Sequence, residues 1–196
     1  MAILLSQEID RRKHLADLCN RRGLLRHAVE IGTEKAAFAT TFLDTWKGDQ
    51  LLCIDPWQNE LPGYGEMHWD RSCDFHIAMH ALGRYNRRVH VFRGTSEEAI
   101  QKGIIRWPID FLYIDANHEY EHVSRDIELF WPHVADGGIM AGHDYDRAME
   151  GVVRAVNGFA ERLGVNVYLT HEPRFKSWYI SKTEALWADY QKQDKT

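Results

Sequence analysis

Short apolar runs and amphipathic segments alternate along this chain with little interruption. The runs His27–Ile31, Leu51–Ile54, Val89–Phe92, Phe111–Ile114 and Gly138–Ala141 are mostly apolar, as strands covered on both faces must be. Between them, Lys35–Trp46, Arg71–Tyr85, Glu97–Gly103, Tyr120–Trp131 and Arg147–Leu163 have helical length and spacing. This alternation predicts an α/β fold with a doubly wound, mostly parallel sheet. The tail breaks the rhythm. Val165–Thr170 and Phe175–Ser181 are joined by HEPR and read as an antiparallel pair at the sheet edge. At the other end, Ser6–Arg22 reads as an amphipathic helix with Ile9, Leu15 and Leu18 on one side, capped by Ser6 and ended by Gly23. Residues 1–25 are thus expected to pack as a helical arm on a single domain, 26–196, that has no internal repeat.

Two of the predicted strands end on acids. Asp115 closes one in FLYIDANHEY, Asp144 closes the next in GGIMAGHDY, and a helix-length segment separates them. A strand–helix–strand unit crosses over right-handed with its strands parallel, so both acids arrive on one rim, roughly 5 Å apart if the strands are neighbours. Ligands of open parallel sheets bind beyond that rim. His118 and His143 flank the two carboxylates in sequence, a set suited to proton transfer or cation binding. The plainer roles are a helix cap for Asp115 and ordinary loop or structural histidines. One stretch fits neither strand nor helix: residues 56–70, PWQNELPGYGEMHWD, form an insertion whose Trp57, Tyr64 and Trp69 suit a cover that keeps water from a reacting group.

The first crossover, HAVEIGTEKAAFA, places Gly32 directly after the strand and unpaired helix N–H groups beyond it. Asp55 follows the second strand 23 residues later, the spacing at which an acid receives ribose hydroxyls. Neither GxGxxG nor GxxxxGK[ST] occurs, so a pyrophosphate ligand is disfavoured. A nucleoside carrying its own ammonium and carboxylate fits better, with Glu30 near the ammonium and helix N–H groups on the carboxylate.

Composition narrows the classes. The net charge of −5 argues against a sequence-independent nucleic-acid binder, and the basic stretch Arg11, Arg12, Lys13, Arg21, Arg22 reads as a solvated helix face. No apolar run approaches the roughly 20 residues of a membrane span. Cys19, Cys53 and Cys73 are widely spaced and read as reduced thiols, so a cytoplasmic protein without membrane contact is expected.

EIGTEKAAFA, the acid in CIDPW, the turn RGTSEEA, then DANHEY and GGIMAGHDY resemble the class I S-adenosylmethionine-dependent methyltransferases. Within these the chain is most similar to the small metal-dependent O-methyltransferases of sugar and antibiotic biosynthesis, over roughly residues 26–181. The resemblance implies a Rossmann-like seven-stranded sheet whose last strand is antiparallel. It implies Glu30, Gly32 and Thr33 at the methionine part of S-adenosyl-L-methionine, Asp55 at the ribose, and Thr95 with Ser96 beside the adenine. Asp115, His143 and Asp144 correspond to the donors for a divalent cation, Mg2+ by their oxygen-rich character. Asp115 also borders the cofactor and takes part in the reaction, and His118 corresponds to the general base. Two departures stand out: Ala36 replaces a common Gly, and His143 stands where an Asp is frequent. The partner implied is a small-molecule acceptor, with the N-terminal helix available to pack across a homodimer.

Three other readings compete. A non-catalytic nucleoside-cofactor-binding protein needs neither a covering loop nor a base. An NAD-dependent oxidoreductase needs a different turn and more chain. Residues 118–122, HEYEH, match the zinc-peptidase pattern HExxH, which requires both histidines inside one helix.

Overall fold

The structure, a computed structural model, describes residues 1–59 and 71–183. Its strands are β1 (Ile3–Leu5), β2 (His27–Ile31), β3 (Gln50–Asp55), β4 (Val89–Arg93), β5 (Ile109–Ile114), β6 (Val134–Tyr145), β7 (Val167–Leu169) and β8 (Lys176–Ser181). The helices are α1 (Leu15–Arg21), α2 (Ala37–Thr45), α3 (Arg71–Leu82), α4 (Ser96–Gln101), α5 (Tyr120–Phe130) and α6 (Glu150–Leu163). All eight strands join one sheet in the order β1-β7-β8-β6-β5-β2-β3-β4, and β8 alone runs antiparallel to its neighbours. This is the expected doubly wound α/β sheet with an antiparallel C-terminal strand.

Both faces are covered because the strand side chains alternate between two apolar layers. On β5, Leu112 and Ile114 pack with α5 and α6 residues such as Val123, Ile127, Val156 and Phe159. Phe111 and Tyr113 face the other way, toward α1 and α2. There the aromatic rings interlock: Phe38 stacks on Tyr113 at 3.7 Å between centroids, and Phe42 on Phe111 at 4.7 Å. Such ring pairs add about 0.5–1.5 kcal/mol each beyond their buried area. The ladder fixes α2, which follows the Gly32 turn, against the strand that ends at Asp115.

The N-terminal arm differs from expectation, and supplies the eighth strand. Ile3–Leu5 pair in parallel with β7, and the helix begins only at a short 3-10 turn, Arg12–His14. Ser6 caps no long helix. Its Oγ accepts from the backbone N–H groups of Glu8 and Ile9 and bonds the Tyr179 hydroxyl, holding the chain in a local turn instead. β6 is also much longer than Gly138–Ala141, because its start carries polar and glycine residues that hide the apolar pattern. Trp57 is no cover for a ligand: it is 1% exposed, packs edge-on to Phe75, and donates its Nε1–H to the Glu34 carbonyl. Tyr64 and Trp69, in residues 60–70, lie outside the described residues.

The sheet order puts the topological switch point between β2 and β5, since β2 leads on to β3 on one side and lies beside β5 on the other. α6 tightens the same rim from outside. Gly151, in its first turn, lies so close to the DANHEY turn that a Cβ would sit 2.3 Å from the His118 carbonyl oxygen. Gly151→Ala is therefore expected to destabilise the fold by roughly 1–3 kcal/mol, although alanine is the better helix former. Denaturant unfolding of the two proteins measures this, and equal or greater stability of the variant contradicts the close approach.

Candidate active site

A cleft of about 490 Å3 opens at the switch point, within the range of small-molecule sites. Of the residues singled out from sequence, Gly32, Asp55, Thr95, Ser96, Asp115 and His118 line it. Gly32 has φ 88°, and a Cβ on it would lie 2.1 Å from the Asp115 carbonyl oxygen, so glycine is required where the β2–α2 turn crosses the end of β5. Glu30 and Thr33 are buried and do not line the cleft; the Thr33 hydroxyl donates to Glu30 Oε2 at 3.0 Å. Burial pushes the Glu30 carboxyl up to about 8, only partly offset by that hydrogen bond.

Asp55 ends β3 with both oxygens engaged. The backbone N–H groups of Glu34 and Trp57 donate to it at 2.9 and 2.7 Å, and Arg71 Nη2 reaches both oxygens at 2.9 Å. Arg71 therefore stands where ribose hydroxyls were expected. Its position at the start of α3, directly after the insertion, gave no sign of this in the sequence. Thr95 is likewise committed: its hydroxyl caps α4 by accepting from the Glu98 N–H, and Glu98 returns a bond to the Thr95 N–H. The Ser96 hydroxyl donates to Asp126, a buried acid of α5 that also lines the cleft.

At the rim, Ile114 and Gly142 are register partners on neighbouring parallel strands, which brings Asp115 and Asp144 out at the same edge. Asp144 lies at a register shift in β6 with φ 57°, a conformation that Asp tolerates better than most residues. His118 Nε2 is 2.9 Å from Asp144 Oδ2, and His143 Nδ1 lies 3.1 Å from Asp144 Oδ1 and 3.7 Å from Asp115 Oδ1. Burial opposes ionisation of Asp144, but the hydrogen bonds of His118 and His143 outweigh it and hold its carboxyl far below the ordinary range. The bond to Asp144 in turn raises His118. Asp115 goes the other way: desolvation, with the repulsion of Asp144, pushes it up to about 6 against His143 and Arg12.

Arg12 is the residue that sequence reading assigned to a solvated helix face, and the structure corrects this. Its Nη1 donates to Asp115 Oδ2 at 3.3 Å and its guanidinium stands 5.9 Å from the Phe38 ring centre. Contacts that pin the arm include the Arg12 N–H to Glu172, the His171 N–H to the Asp10 carbonyl, and the His171 ring to the Ser6 carbonyl.

Three of these groups form a donor set for a cation. One ligand atom each of Asp115, His118 and Asp144 lie within 4.8 Å of one another. Ligand distances of about 2.0–2.6 Å put opposite donors about 4–5 Å apart, so the spacing fits a divalent ion. His143 lies near both carboxylates but outside this set. The zinc-peptidase geometry is absent: α5 begins at Tyr120, so His118 precedes the helix that carries His122. No helix among the described residues is long and apolar enough to cross a membrane.

The sheet order, the lone antiparallel strand and the cleft at the switch point define the class I S-adenosylmethionine-dependent methyltransferase fold. Residues 29–145 match the family described as "Methyltransferase domain", and the chain belongs to that family. A curated relative, an uncharacterized protein of Acanthamoeba polyphaga mimivirus, is 31% identical over 159 residues, covering 79% of this chain and 68% of the relative. Among solved structures, the O-methyltransferase of Bacillus cereus in complex with S-adenosylhomocysteine is similar at TM-score 0.65 and 17% identity, covering 91% of this chain and 84% of that one. The O-methyltransferase TomG of Streptomyces achromogenes, in complex with S-adenosylmethionine, is similar at TM-score 0.60 and 15% identity, covering 87% and 79%. A putative rRNA methylase of Clostridium thermocellum is similar at TM-score 0.63 and 12% identity, covering 88% and 97%.

The buried Glu30 has a measurable consequence. Its folded value of about 8 lies above the usual 4.5, so its stabilising contribution is complete below pH 4.5 and is lost as pH rises toward 8. Glu30→Gln, which cannot ionise, is expected to flatten the fall of melting temperature between pH 5 and 8 in the ligand-free protein. Parallel melting profiles for the two proteins contradict a protonated Glu30.

Proposed function

We propose that this protein transfers a methyl group from S-adenosylmethionine to a hydroxyl oxygen of a small-molecule acceptor, with a divalent cation at the rim. The observation that carries the reading is the juxtaposition of the Gly32–Asp55 cleft with two carboxylates and two imidazoles on the adjoining strand ends. Gly32 borders the methionine part, and Glu30 and Thr33 back it from the buried layer behind the cleft lining. Asp55 serves the ribose once Arg71 yields to its hydroxyls, and Thr95 and Ser96 border the base.

A bound cation would hold the acceptor hydroxyl and lower its pKa. Asp115, His143 and Asp144 are its donors, and His118 takes the proton. The division follows from exposure, because His118 is 43% exposed and lines the cleft whereas His143 does not. The acceptor oxygen attacks the methyl carbon, the carbon–sulfur bond breaks with its electron pair passing to sulfur, and the oxygen's proton moves to the imidazole. Holding the partners in line supplies much of the rate. His118 works with Asp144, which orients the ring and stabilises its charged form.

Calorimetry tests the cofactor: S-adenosylhomocysteine is expected to bind and NAD not, and the reverse removes the reading. Paramagnetic titration with Mn2+ tests the donors. Asp144→Asn and His143→Ala are expected to weaken binding by tenfold or more, in line with about 10–100-fold losses at metal sites, while His118→Ala retains Mn2+ and S-adenosylhomocysteine. Loss of Mn2+ on removal of His118 alone makes it a donor instead of the base.

A further inference from the structure

The two side chains that border the base are already in use, which turns attention to the acid behind them. Thr95 Oγ1 accepts from the Glu98 N–H, and Ser96 Oγ gives its proton to Asp126. The Ser96 hydroxyl thus spends its proton on Asp126 and not on the cleft. Asp126 is 4% exposed, yet it lines the cleft with Ser96, whereas Asp144 and His143 do not. It stands in the middle of α5, so it caps no helix terminus. It also interrupts the apolar face made by Val123, Ile127 and Phe130, where an acid weakens the core unless something repays its burial. A carboxyl has about four acceptor positions, and the Ser96 hydroxyl fills one.

We propose that Asp126, oriented by Ser96, recognises the 6-amino group of the cofactor's purine ring. The inference rests on the cofactor reading above and deepens it by naming the side chain that selects adenine. The exocyclic amine of adenine donates to the carboxyl, whereas a 6-oxo purine sets a second acceptor against it and supplies no donor. A site built around one hydrogen bond rejects the analogue that lacks it far more strongly than an apolar pocket does. Desolvation pushes this carboxyl up to about 6, so at neutral pH an accepting form is available.

The test compares S-adenosylhomocysteine with S-inosylhomocysteine, its 6-oxo counterpart, by calorimetry. The wild-type protein is expected to prefer the amino compound by about a hundredfold or more. Asparagine presents either its oxygen or its NH2 group, so Asp126→Asn is expected to bring the two affinities within about threefold. Ser96→Ala, which frees the carboxyl from its orienting donor, is expected to lower the preference part of the way. Melting profiles establish that both variants are folded, and Ser96→Ala alone decides the matter if Asp126→Asn is not. A wild-type ratio retained in the folded variants overturns the role of Asp126 while leaving the cofactor reading intact. Failure of the wild-type protein to bind S-adenosylhomocysteine overturns both.

Discussion

Two carboxylates on the ends of neighbouring parallel strands repel each other, and the register of β5 on β6 makes their meeting unavoidable. The surrounding structure can be understood as the answer to that repulsion. His118 and His143 converge on Asp144, while Arg12 and, at longer range, His143 approach Asp115. The neutralisation is unequal, so one acid stays ionised and the other is pushed up to about 6. Titratable neighbours driven apart in this way are the usual mark of divided chemical labour. The N-terminal arm, held by the β1–β7 pairing and the Ser6 bonds, brings Arg12 to that rim.

The strands were legible because a sheet covered on both faces needs nearly continuous apolar runs, and each of the five internal runs became a strand. β1 was not legible. A three-residue strand at a sheet edge has too little pattern to separate it from any apolar patch. The helix drawn from Ser6 failed at its first half because Ser6 bonds its own neighbours and Tyr179, which no periodicity reports. The extra length of β6 was hidden by Asp136, Gly137 and Gly138.

The site divides along the same line. Gly32, Asp55, Asp115 and Asp144 were readable because each ends, or directly follows, a recognisable strand, and a parallel sheet sends such ends to one rim. Arg12, Arg71 and Asp126 were not. Arg12 meets Asp115 across 103 residues of sequence, and Arg71 meets Asp55 across a 16-residue separation containing the insertion. Asp126 carried the one available signal, an acid on the buried face of an amphipathic helix between Val123 and Phe130.

This separation also bears on specificity. Residues 29–145, which carry the family resemblance, contribute the cleft and both rim acids. The groups that approach the rim from outside come from elsewhere: Arg12 from the arm and Glu172 from the β7–β8 turn. One oxygen of Glu172 is buried without a hydrogen-bond partner, and Arg12 is anchored through the other. A fold of this kind supports many acceptors because its scaffold fixes the reacting centre while appended segments vary. Acceptor choice in this chain is therefore expected to follow the arm and the β7–β8 turn more closely than the sheet.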